Sequence, residues 1–139
     1  GLRRILPELE QSIIQHAPRN ANGPVWTLLF GTSPQHDLSE MLSPLHEMCS
    51  RIPPTQIVLT RPHGGRYPGV EIEELLKEKW LHENPLTSPS APHAIEKLAS
   101  DSADNVGLVI SLGSLYLQGN ILNYFEWASD ENLSLFAKH

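Results

Sequence analysis

A chain of 139 residues, 40% hydrophobic and 19% charged, has the makeup of a single globular domain long enough to bury a core. Its formal charge of −6, with 10 Lys and Arg scattered rather than gathered in a stripe, argues against a dedicated nucleic-acid surface. The lone Cys49 excludes an internal disulfide and a cysteine-based zinc site, and no apolar run approaches the ~20 residues that span a bilayer.

Leu2, Ile5, Leu6, Leu9, Ile13 and Ile14 recur at helical spacing, and Pro7 fits best in a first turn that starts near Leu6. Pro18 to Pro24 reads as a polar loop, and Val25 to Gly31 (VWTLLFG) as a buried strand. Thr32 to Asp37 leaves that strand. Asp37 or Ser39 can cap the next helix, whose apolar stripe is Leu38, Met41, Leu42, Leu45 and Met48. Arg51 to Pro54 ends it, and Gln56 to Thr60 (QIVLT) is another short, branched, apolar strand. Arg61 to Gly69 (RPHGGRYPG) is a loop dense in Gly, Pro and cations. Val70 to Glu83 is amphipathic through Ile72, Leu75, Leu76, Trp80 and Leu81. Asn84 to Pro92 (NPLTSPSAP) reads as a linker without regular structure, and His93 to Ser100 as a short helix. Val106, Leu108, Val109 and Ile110 then predict a strand buried on both faces. Ser111 to Ser114 predicts a tight turn, after which Leu115, Leu117, Ile121, Leu122 and Phe125 fall on one side of a helix. Strands alternating with helices predict one α/β domain over residues 1–139, a Rossmann-like, mostly parallel sheet flanked by helices.

Several chemistries are absent from the sequence. There is no GxxxxGK[ST], no GxGxxG after a strand, and neither HExxH nor GxSxG. His46 and Cys49 stand one helical turn apart and could share a metal, but an exposed histidine and a small buried cysteine account for them better. Arg61, His63 and Arg66 form the leading constellation. They follow a strand directly, so they belong to the carboxyl edge of the sheet, where open α/β folds bind ligands. Gly64 and Gly65 let backbone approach a ligand, and an arginine fork suits carboxylate or phosphate. The competing expectation is a solvated loop whose arginines pair with Glu71 or Glu73. The Gly113–Ser114 turn opens a predicted helix and so offers amide groups to an anion, or is simply a compact connection.

SLGSLYLQGNIL resembles the GSLYLVG turn near the end of folylpolyglutamate and dihydrofolate synthases, in the Mur-ligase superfamily. Two earlier segments resemble the same family in the same order. VWTLLFGTSPQHDLSEMLSPL is similar to the second strand of its C-terminal domain with the loop and helix that follow. QIVLTRPHGGRYPGVEIEELL is similar to its next strand, arginine-containing loop and helix start, with Arg66 and Pro68 at the family's Arg and Pro. The resemblance implies a Rossmann-like domain that closes over a central ATPase domain. It implies ATP- and Mg²⁺-dependent amide formation between a folate or dihydropteroate carboxylate and L-glutamate. Arg66 would meet the carboxylate of the incoming glutamate, with Arg61, His63 and Ser114 as further substrate-binding residues. The P-loop, the Mg²⁺ ligands and a DGAHN segment with the first strand of the sheet are expected ahead of Gly1. The chain alone is therefore expected to be inactive as a ligase and to hold neither ATP nor Mg²⁺ tightly. The alternative is a non-catalytic interaction or small-anion-binding module built on that fold. Family and cysteine usage point to the cytoplasm or the mitochondrion, with no nucleic-acid or membrane partner.

Overall fold

The computed structural model describes residues 2–32, 38–63, 69–82, 85–101 and 103–113. Helix α1 (Leu2–His16) begins at Leu2 rather than near Leu6, so Pro7 lies within it. Burial of Leu6 and Ile13 in the core offsets the backbone hydrogen bond the proline forgoes. The expected polar loop is instead a small antiparallel hairpin of β1 (Arg19–Asn20) and β2 (Gly23–Pro24). The Asn20 Oδ1 accepts from the Asn22 amide at 2.8 Å and closes the turn.

The domain is built on a four-stranded parallel sheet. In chain order its elements are β3 (Trp26–Gly31), α2 (Leu38–Arg51), β4 (Gln56–Thr60), α3 (Ile72–Leu75), α4 (Lys79–His82), β5 (Leu86–Ser88), α5 (Ala91–Ser100), α6 (Ala103–Val106) and β6 (Leu108–Gly113). The strand order is β5-β4-β3-β6. The chain steps outward from β3 to β4 to β5, then returns past both to pair β6 with the far side of β3. Because parallel crossovers are right-handed, reversing direction puts the returning helix on the opposite face. The packing agrees. Trp26, Leu28, Phe30, Leu59 and Leu112 face α1, α2, α3 and α4, whereas Leu29 and Val58 face Ala94 of α5. The α/β class and the parallel sheet with helices on both faces are therefore as the periodicity predicts.

Three local expectations are corrected. The stretch read as a linker contains β5, whose Leu86, Thr87 and Ser88 align with Val58, Leu59 and Thr60. A three-residue strand between Pro85 and Pro89 is too short to show a period, and Pro is compatible with an edge position. The amphipathic segment after residue 70 is two single-turn helices, not one. Leu75 and Leu81 are both fully buried, yet six residues on a continuous helix would set them roughly 240° apart. The break at residues 76–78 brings both into the core. Finally, β6 starts at Leu108 and continues through Ser111 and Leu112 to Gly113, and Val106 ends α6. It is not buried on both faces: among the described residues it pairs only with β3, and Val109 is 40% exposed. The helix expected from Leu115 to Phe125 lies outside the described residues.

Candidate functional site

Parallel strands end on a common edge, and here the register sets Thr60 beside Ser88 and Gly31 beside Gly113. The loop that leaves β4 is closed at its neck by backbone and side-chain bonds. Arg61 Nε donates to the Gly69 carbonyl at 3.0 Å, and the Val70 amide donates to the Thr32 carbonyl at 2.8 Å. Pro62 packs so closely on Gly69 that a Cβ there would stand 2.5 Å from the proline Cδ. The neck thus lies across the ends of β3 and β4, with Arg61 held at its base.

A groove of about 400 Å³ opens beside this neck, lined by Arg61, His63, Glu71, Ile72, Glu73 and Pro89. The His63 Nε2–H donates to the Pro89 carbonyl at 3.0 Å and ties the β4 loop to the β5–α5 turn. Arg61 Nη2 stands 3.9 Å from Glu71 Oε1, with the arginine side chain about one-third exposed (35%) and the glutamate more so. At that distance and exposure the pair is a weak contact that a better-placed carboxylate can displace. The pairing foreseen for a merely solvated loop is thus present at Arg61, yet it leaves the guanidinium beside the groove. Two carboxylates and two cationic or imidazole groups make the groove amphoteric rather than an anion hole.

The turn that carries Pro89 is secured from within. Ser88 is buried, and its Oγ donates to the Ser90 carbonyl at 3.1 Å. Its single proton is thereby committed, so the 2.6 Å contact to His93 Nδ1 has the imidazole as donor. That direction of donation locks the turn and does not activate the serine as a nucleophile. Ser90 caps α5 through its side chain, accepting from the His93 amide at 3.4 Å.

Of the four residues singled out as substrate-binding, the structure brings Arg61 and His63 to one groove. Arg66 and Ser114 lie outside the described residues. Glu71, Glu73 and Pro89 line the groove, Pro89 from a stretch read as linker; the signal that could have found it was Ser88–Pro89–Ser90 as strand end, turn and helix cap. His46 and Cys49, one helical turn apart on α2, have separate surroundings. The imidazole stacks on Trp80 with centroids 5.0 Å apart and planes 7° from parallel, and burial pushes the Cys49 thiol up to about 12. Among the described residues no group of three or more His, Cys, Asp or Glu could hold a metal ion, and no helix is long and apolar enough to cross a membrane.

Fold and site together define an α/β domain with a polar groove at the carboxyl edge of a parallel sheet. No family model, no curated protein and no solved structure matches the chain.

Proposed function

We infer that this chain is the C-terminal domain of an ATP-dependent ligase that joins L-glutamate in amide linkage to a folate or dihydropteroate carboxylate. In that reaction the carboxylate attacks the γ-phosphorus of ATP, giving an acyl phosphate and ADP. The glutamate amine then attacks the acyl carbon, phosphate leaves, and the ammonium proton passes to a base. The observation that carries the assignment is the amphoteric groove beside β4. Arg61 suits the carboxylate of an α-amino acid, while Glu71 and Glu73 suit its ammonium group, and His63 shapes the groove through its bond to Pro89. A module for bare anions would not set two carboxylates beside its arginine, which disfavours the anion-binding form of the alternative.

The sequence segments that resemble the ligases add support. They contain the strands β3, β4 and β6, with β3 paired between the other two. The three strands are far apart in sequence yet parallel and adjacent, so they end on one edge of the sheet. The described residues do not fit Mg²⁺, having no cluster of ligands for it. In the ligases that the chain resembles, ATP and its metal belong to the central domain.

Isothermal calorimetry of the chain with L-glutamate at low salt tests this. Heat of binding in the wild type, lost in Arg61→Ala or Arg66→Ala, is the expected result. Undiminished binding in both variants, or no heat from a chain shown to be folded, would remove the amino-acid role from this groove.

A further inference from the structure

A second cavity, of about 280 Å³, lies at the opposite end of β4 from Arg61 and takes no part in the function proposed above. It is an open pocket lined by His46, Cys49 and Ser50 of α2, Pro53 and Pro54 of the connection to β4, Ile57 of β4, and Trp80 of α4. Three features decide what it can hold. It offers flat surfaces: the half-buried Trp80 indole and the His46 ring stacked on it both line the pocket, together with two prolines. It holds no countercharge, since no Asp, Glu, Lys or Arg lines it among the described residues. Its floor is a buried thiol that stays neutral because burial pushes it up to about 12. A charged ligand would surrender its hydration here without gaining an ion pair. A flat neutral ring would gain stacking and apolar contact, with the imidazole available for one hydrogen bond.

We propose that this cavity is a binding site for a small, uncharged, planar heteroaromatic molecule of one or two fused rings. The volume is near the lower end of the range for small-molecule sites, about 300–1,000 Å³, which limits the ligand to that size. Trp80 and His46 supply the stacking surface, the imidazole offers a ring nitrogen, and the buried Cys49 lines the site.

Cys49 is the chain's one cysteine, so its alkylation by a small neutral reagent reports on the cavity alone. Indole serves as the probe, with indole-3-acetate as its charged counterpart. At ten times its Kd, indole is expected to slow alkylation about tenfold, because only the free fraction reacts. Indole-3-acetate at the same concentration is expected to leave the rate unchanged. Ser50 lies on the exposed side of α2 and also borders the cavity, so Ser50→Phe places a ring there and should abolish protection by indole. If Ser50→Phe does not melt cooperatively, His46→Ala, at an exposed position, replaces it with the same expected loss. An alkylation rate that indole leaves unchanged up to its solubility limit would overturn the proposal. So would protection that persists in the variant, or equal protection by the charged analogue.

Discussion

Gly113→Ala and Gly23→Ala make a matched pair that tests how tightly β6 is joined to β3. Both glycines have positive φ, 130° at Gly113 and 120° at Gly23. An L side chain in such a conformation costs about 1–3 kcal/mol at either site. Both substitutions also recover about 0.4–1 kcal/mol by restricting the unfolded chain. Those contributions cancel in the comparison, and the surroundings do not. A Cβ at Gly23 would meet nothing within 4 Å. A Cβ at Gly113 would collide with the carbonyl oxygen of Gly31 and stand 2.7 Å from its carbonyl carbon. The obstructing atoms are backbone of the paired strand, so no rotamer change relieves the clash. The strands must part at Gly31 and Gly113, at the expense of at least one ladder hydrogen bond and the packing around it, together about 2 kcal/mol. Gly23→Ala is therefore expected to lower stability by about 1–2 kcal/mol and Gly113→Ala by about 3–5 kcal/mol. Urea denaturation with a common m-value reads the difference directly; in a thermal melt of a chain this size it amounts to roughly 7 °C. Equal losses in the two variants would mean that β6 does not approach β3 as closely as Gly31 opposite Gly113 requires.

Two buried threonines provide a second comparison. The Thr60 hydroxyl has no hydrogen-bond partner among the described residues, whereas that of Thr27 donates to the Val106 carbonyl at 2.7 Å and accepts from Gln56. Thr60→Val, nearly isosteric, is expected to leave stability unchanged or raise it by about 1 kcal/mol, while Thr27→Val should lower it by about 1–3 kcal/mol; denaturation midpoints decide, and a destabilised Thr60→Val would reveal a partner. The Cys49 thiol makes stability depend on alkaline pH. Its folded value of about 12 lies above the ordinary 9.0, so the unfolded state loses its proton first and stability falls between those values, by about 1.4 kcal/mol per pH unit. Cys49→Ala should show a shallower decline between pH 9 and 11, and parallel profiles would contradict the burial of the thiol. The glutamate calorimetry of Arg61→Ala and the indole protection of Cys49 complete the set, and they probe opposite ends of β4 independently.

The sequence by itself determined the parts of the fold whose signal is local. Trp26 to Gly31 and Gln56 to Thr60 are central strands with helices on both faces, so short apolar runs, Leu28 to Phe30 and Ile57 to Leu59, dominate them and read as strands directly. The stripe of Leu42, Leu45 and Met48 in α2 repeats at the helical period because that helix buries one side. From these alternating elements the parallel α/β class follows. So does the placing of Arg61 and His63 at the carboxyl edge, because a residue just after a strand can be nowhere else.

Tertiary structure decided what depends on pairing between distant residues. Leu86 to Ser88 are a strand only because β4 presents an edge to them, and three residues carry no period of their own. Val109 is part of an apolar run, yet it is exposed because β6 pairs with β3 beyond the cover of α5. Leu75 and Leu81 both reach the core because the chain breaks between them. The groove has the same origin: β4 contributes Arg61, the β5–α5 turn contributes Pro89, and Glu71 and Glu73 come from the start of α3. Arg61, His63, Glu71 and Glu73 stand at the two ends of one connection, between β4 and α3, and Pro89 joins them only because β5 pairs with β4. A local pattern records which face of an element is buried, because burial selects the residue types. It does not record which other loop a given loop will meet, because that contact is set by the order of the strands.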